Sequence, residues 1–161
     1  MIRFKWIGTS FILLLLFQAC TGKLLKEESA FIVLKTPKIK YADMGFIRNN
    51  SYILNIEMYA AGQPLVKIEV NGNNICMSTF ECMSKKLFNK KILSEYYPET
   101  LLEDIFRSKP IFDKDGYEKS RDGFVQKIKK DNQYDISYKV TSKTRVFRDR
   151  INKILIKVRE E

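Results

Sequence analysis

The sequence contains no histidine. This absence excludes Ser-His-Asp and Cys-His catalysis and histidine-bound zinc, and it removes the commonest general base of enzymes. Paired carboxylates occur at Glu103–Asp104 and Asp113–Asp115, and we interpret both pairs as solvated surface. The residues after Asp113 lack the later ligands of a calcium loop, and no glycine-rich phosphate-binding loop is present. We therefore expect no enzymatic activity and no cofactor.

Long hydrophobic runs are also missing. The most apolar segment, residues 11–17, is far shorter than the roughly 20 residues that a membrane-spanning helix needs. Arg3 and Lys5 precede it and the small residue Ala19 follows it, which is the order of a removable export signal. We therefore predict that residues 1–19 are a signal peptide. An uncleaved anchor is the alternative.

Residues 16–20, with the sequence LFQAC, resemble the lipobox of bacterial lipoproteins, in which the cysteine is acylated and becomes the first residue of the mature chain. The resemblance implies a lipid on Cys20 and a membrane as partner, because acyl chains hold a protein there without a spanning helix. In the enterobacterial sorting scheme, Thr21 after the cysteine favours the outer membrane. An ordinary export signal that contains a cysteine is the alternative.

The other two cysteines are Cys76 and Cys82. In an oxidising compartment we expect them to form a disulfide that closes a short loop and contributes about 2 kcal/mol. Two buried free thiols are the alternative. A redox role is disfavoured, because the spacing is not C-x-x-C and no histidine is present to activate a thiolate.

The chain is basic, with a formal net charge of +10. An exported protein does not meet nucleic acid, and we interpret the excess charge as spread over the surface for solubility. Lipid headgroups are the alternative partner, at about 1 kcal/mol for each cation near an anionic surface. One basic cluster consists of Lys85, Lys86, Lys90 and Lys91. We interpret it as the outer face of an amphipathic helix packed on a sheet, with contact to a membrane surface as the alternative.

Residues 20–29 are short and polar, and we predict a tether there, followed by a single domain over residues 30–161. Apolar residues in this domain alternate with polar ones, as in strands with one buried face. The alternating sets are Tyr52, Leu54, Ile56 and Met58; Val66, Ile68 and Val70; Tyr134, Ile136, Tyr138 and Val140; and Ile154, Ile156 and Val158. Turn residues at 49–50, 61–64 and 71–74 separate them.

The middle of the domain loses this alternation. Residues 79–93 predict a helix with Thr79 as its N-cap, and residues 98–106 predict a short helix that Pro110 follows. We expect residues 113–122 to be a hydrophilic loop. Strands, then helices, then strands indicate an α+β fold with a mainly antiparallel sheet.

The order and spacing of these segments over residues 45–158 resemble the LolA/LolB-like proteins, which carry lipoproteins to the outer membrane. Segments that carry the resemblance are Gly45–Ile47, Tyr97–Leu102, Ser108–Pro110, Gly123–Gln126 and Tyr134–Tyr138. The resemblance implies a curved antiparallel sheet, or incomplete barrel, with one or two central helices on its concave face. It also implies binding of lipid or lipoprotein acyl chains. A non-enzymatic interaction or scaffold lipoprotein with an envelope protein as partner is the alternative.

Overall fold

The computed structural model describes residues 25–78 and 80–161. Within them the strands are β1 (Lys26–Lys35), β2 (Lys40–Asn49), β3 (Ile53–Ala60), β4 (Gln63–Asn71), β5 (Asn74–Met77), β6 (Phe80–Ser84), β7 (Tyr117–Ser120), β8 (Gly123–Lys130), β9 (Tyr134–Thr141), β10 (Thr144–Asp149) and β11 (Ile154–Glu160). The helices are α1 (Lys85–Ile92) and α2 (Leu101–Phe106), followed by a 3-10 turn (Phe112–Lys114). No helix in these ranges has the length and apolar character needed to cross a membrane.

The strands form one open sheet in the order β6-β5-β4-β3-β2-β1-β11-β10-β9-β8-β7. Neighbouring strands are antiparallel throughout. The first and last strands lie side by side in the middle, where Ile32 faces Val158 in register. The two edge strands, β6 and β7, are joined by the segment that holds both helices. The prediction of an α+β fold with a mainly antiparallel sheet is confirmed.

One face of the sheet is buried. Side chains on that face with no solvent exposure include Ile32, Ile47, Leu54, Ile56, Met58, Ile68, Val70, Tyr138, Phe147, Ile156 and Val158. Successive side chains of a strand point to opposite faces, so the alternation seen in the sequence places these residues together. Burying each large aliphatic side chain stabilises the fold by about 1.5–3 kcal/mol. This face is the main stabilising contribution to the domain.

The segment between the edge strands packs against the buried face at β8, β9 and β10. Gln126 of β8 donates a hydrogen bond to the carbonyl of Ile111 (2.9 Å) and accepts one from its amide (2.8 Å). Tyr138 of β9 donates to the carbonyl of Ile105 in α2 (3.5 Å). Leu102 and Ile105 of α2 join the same core. Polar side chains on the inner face therefore hold the connecting segment in place.

Two boundaries differ from the sequence prediction. Residues 26–29, assigned to the tether, belong to β1, because they pair with residues 46–49 of β2. The helix predicted over 79–93 begins only at Lys85, and residues 80–84 form β6. Thr79 lies outside the described residues. Ser84 caps α1 instead, since its hydroxyl accepts a hydrogen bond from the amide of Leu87 (3.2 Å).

Strands β5, β7 and β10 were also not predicted. β7 lies in the segment expected to be a loop; it is a polar, largely exposed edge strand paired only with β8, so it has no apolar alternation. β10 has the inward residues Arg145, Phe147 and Asp149. Two of these three are charged, which conceals the strand from a search for alternating hydrophobic residues.

Candidate functional site

A polar cleft of about 860 Å³ lies where the start of β1 meets α2. Its lining comes from three separate parts of the chain: Lys26; Asn49, Asn50 and Ser51; and Thr100, Glu103, Asp104, Arg107 and Lys109. Smaller clefts of about 330 and 310 Å³ share Lys109 with it. One extends past Arg145 and Glu160, and the other extends toward Phe112. The three clefts share lining residues near α2, and together we call them the groove.

Arg107 fixes one wall of this cleft. Its guanidinium donates hydrogen bonds to the carbonyl oxygens of Asn50 and of Ile53 (3.3 Å for the second), and so holds the β2–β3 turn against α2. The turn is also ordered from within, because the Asn50 side chain accepts hydrogen bonds from the amides of Tyr52 (2.9 Å) and Ile53 (3.0 Å). The hydrogen bonds of Arg107 therefore set the spacing between the β2–β3 turn and α2.

Glu103 is held by an ion pair in the wall of the cleft. Lys85 of α1 contacts its carboxylate directly, and Arg107 approaches it at 4.0 Å. Lys85 is buried as a result. Both sequence interpretations of Lys85, the outer face of the helix and contact with a membrane surface, require an exposed side chain and are wrong for this residue. Lys86, Lys90 and Lys91 are exposed on α1. The lysine at the start of the helix serves the packing of α1 against α2.

Arg145 is a buried cation in the floor of the groove, with only 4% of its side chain exposed. Its guanidinium donates to the carbonyl of Phe106 (2.7 Å), forms an ion pair with Glu28, and lies 3.4 Å from the carboxylate of Glu160. Burial lowers the pKa of Arg145, and the nearby carboxylate of Glu160 opposes that shift. This network joins β1, β10 and β11 to the end of α2.

Asp104 is the remaining acid of the cleft. Burial raises the pKa of its carboxyl above the usual range, while a hydrogen bond with Thr100 and the charge of Lys109 oppose the shift. The sequence prediction treated Glu103 and Asp104 as solvated surface. Both are only partly exposed, and both line the cleft. The other predicted acids, Asp113 and Asp115, are exposed.

A second polar network lies beneath the loop between α1 and α2. Tyr97 donates a hydrogen bond to the Asp149 carboxylate (2.5 Å), and Asn89 donates to the carbonyls of Tyr97 (3.3 Å) and Pro98 (2.9 Å). Burial and the Asp149 partner raise the pKa of the Tyr97 hydroxyl above its ordinary value. Asp149 also accepts from the amide of Ile151 (2.9 Å). The network anchors the loop to β10.

The remaining predicted site residues are the cysteines. Cys76 and Cys82 form a disulfide that joins β5 to β6, as expected from the sequence. Cys20 and the predicted signal peptide lie outside the described residues. No model of a known protein family matches the chain, and no curated protein sequence matches it.

Neither the cleft nor the buried guanidinium of Arg145 was predicted from the sequence. Arg145 stands in a segment without apolar alternation, and Glu28 was assigned to the tether. Lys26, Asn49 and the segment from Thr100 to Lys109 are far apart in the sequence and form no motif. The only local signal was a charged residue, Arg145, two positions before the apolar Phe147 in a strand-like segment.

Proposed function

We propose that the protein is a non-enzymatic binding protein of the bacterial cell envelope, tethered to a membrane by a lipid on Cys20. The observation that carries the proposal is the position of the polar cleft, because Lys26 at its rim is also the first residue of β1. The chain from Cys20 to Lys26 spans about 20 Å when fully extended. A lipid on Cys20 would keep the cleft within that distance of the headgroups.

The form of the cleft supports a binding role. Its volume lies within the range of about 300–1,000 Å³ that is common for ligand pockets. Its walls are held by the Arg107 and Glu103 contacts, so the open shape does not need a ligand to form it. Amide and hydroxyl groups of Asn49, Ser51 and Thr100 line the remaining surface and are suited to a polar ligand.

Handling of acyl chains, as the LolA/LolB-like resemblance implies, is the second candidate. It is favoured by the helical segment that links the edge strands and packs on the buried face, an arrangement that suits a curved sheet with helices on its concave face. Packing weighs against it, because Ile56, Tyr138 and Phe147 have no exposed surface on that inner face. An acyl chain would enter only if the helical segment moved away.

The test is photo-crosslinking in intact cells with a photoreactive amino acid at Asn49, on the rim of the cleft. The matched control places the same amino acid at Lys119, an exposed residue of β7 that does not line the cleft. We expect a discrete crosslinked product from position 49 and none from position 119. Equal crosslinking at both positions, or at neither, would contradict the proposed binding role.

Lipid extraction separates the two candidates. The chain from residue 20 with Cys20→Ser carries no acyl group of its own, so any acyl chain in an organic extract of the purified protein must be bound ligand. Stoichiometric acyl chains would support acyl-chain handling. Their absence, together with a product at position 49, would support the polar-cleft proposal.

A further inference from the structure

Two lysines of the cleft take no part in the ion pairs and hydrogen bonds that hold its walls. Glu103 is neutralised by Lys85 and approached by Arg107, and Arg107 also donates to two carbonyls. Lys26 and Lys109, in contrast, have no carboxylate within 4.0 Å in the part of the chain that the structure describes. Both are exposed at the cleft. Two lysine ammonium groups are therefore outside the ion pairs that hold the walls, and the charge of Lys109 also acts on Asp104.

The opposing charge in the cleft is small. Asp104 is the one lining carboxylate outside the Lys85–Glu103 pair, and its side chain is partly occupied by Thr100. Two cations outside those ion pairs and one partly buried acid leave a net positive charge at the rim. Desolvation in a concave site strengthens the attraction of such cations for an anion. The neighbouring amide of Asn49 and hydroxyl of Ser51 suit the hydroxyl groups of a polyol.

We infer that the cleft binds a phosphate ester that carries hydroxyl groups, with Lys26 and Lys109 as its phosphate ligands. Lysine binds phosphate as a point charge with freely rotating donors, which suits two flexible side chains that line the same open cleft. The same chemistry occurs in the headgroup of an anionic phospholipid and in a free sugar or glycerol phosphate. A phospholipid headgroup as the ligand rests on the proposed tether, because the tether brings the cleft to the membrane. Binding of a phosphate ester by the two lysines does not depend on the tether.

The test uses the chain from residue 20 with Cys20→Ser, which contains every described residue. Binding is measured by calorimetry with glycerol 1-phosphate, and by co-sedimentation with vesicles of phosphatidylglycerol or phosphatidylcholine. We expect Lys26→Gln and Lys109→Gln each to weaken binding of glycerol 1-phosphate about tenfold, and the double variant more strongly. Both side chains are exposed, so an unchanged thermal midpoint will show that the variants fold.

The control variant is Lys119→Gln, which removes the same charge from the exposed edge strand β7. Binding of glycerol 1-phosphate and of phosphatidylglycerol vesicles, lost in the double variant and kept in the control, supports a headgroup ligand. Binding of glycerol 1-phosphate alone supports the site with a soluble ester as ligand. Equal loss in the Lys119→Gln variant, or no binding of either probe, would overturn the inference.

These results are distinguishable from failure of the proposed function. If Cys20 carries no lipid, glycerol 1-phosphate binding to the cleft is still expected. If neither phosphate probe binds but position 49 still crosslinks to a product, the proposed binding role is supported and the inference of a phosphate ester as ligand is wrong.

Discussion

Glu28 and Arg145 form a buried ion pair between strands β1 and β10, which are not neighbours in the sheet. Their side chains are only 9% and 4% exposed. Glu28 stands three residues after Leu25, where the described chain begins, and Arg145 also holds the end of α2 through the Phe106 carbonyl. The pair therefore connects the start of the domain to the smaller cleft of about 330 Å³, which both residues line.

Replacing Glu28 tests this connection. Glu28→Ala leaves a buried guanidinium without its closest counterion, and we expect the free energy of unfolding to fall by about 3 kcal/mol in denaturant titrations. The control is Glu27→Ala, which removes the adjacent acid and its half-exposed pair with Arg48. That change is expected to cost less than about 1 kcal/mol. Similar losses for both variants would show that Glu28 has no special structural role.

Tyr97 gives a pH-dependent prediction. Burial raises the pKa of the hydroxyls of Tyr97 and Tyr138 above their ordinary value of 10.0. The folded state then holds these protons more tightly than the unfolded state, so the stabilisation is complete below pH 10 and is lost as the pH rises above it. We expect Tyr97→Phe to lower the unfolding free energy by about 1 kcal/mol at pH 7, through the lost hydrogen bond to Asp149.

The Tyr97→Phe variant is also expected to make the decline in stability above pH 10 shallower, because it removes one of the two hydroxyls whose pKa is raised by folding. Thermal unfolding at a series of pH values measures both effects. Tyr96→Phe is the matched control, since Tyr96 is exposed and next in the sequence, and it should change neither quantity. An unchanged slope for Tyr97→Phe would contradict the assignment of the alkaline loss to this buried hydroxyl.

The disulfide predicts a local effect at the edge of the sheet. Replacing both Cys76 and Cys82 with Ser is expected to lower the free energy of unfolding by about 2 kcal/mol, because the unfolded chain regains the freedom of a short loop. Amide hydrogen exchange should accelerate in β6 and remain unchanged in the central strands β1 and β11. A reducing agent should reproduce the change in the native chain and have no effect on the double variant. Uniform acceleration across the sheet would contradict a local role.

The strands could be predicted from the sequence where burial of one face of the sheet determines the pattern of residues. Leu54, Ile56 and Met58 alternate with polar residues because one face of β3 is buried, and this period is visible in the sequence. β6 was predicted as a helix because the apolar Phe80, Met83 and Leu87 suit a helical period. Pairing with β5 and the disulfide prevail over that local preference. Tertiary contacts decide such segments, and no local pattern reports them.

The cleft was not predictable for a different reason. Its residues come from β1, the β2–β3 turn, α2 and the segment after it, and the register of the whole sheet is needed to bring them together. Arg145 was assigned no role and Glu28 was placed in the tether, because neither residue shows its partner in the sequence. Lys85 looked like part of a basic surface for the same reason. Pairs that are distant in sequence become visible only when the fold is known.

Intact-mass measurement of the protein isolated from cell membranes tests the lipid tether on Cys20. We expect a chain that begins at Cys20 and carries the added mass of at least two acyl chains. We expect Cys20→Ser to abolish this species and Cys76→Ser to leave it unchanged. A membrane-bound chain that retains residues 1–19, or an exported chain with an unmodified Cys20, would contradict the tether.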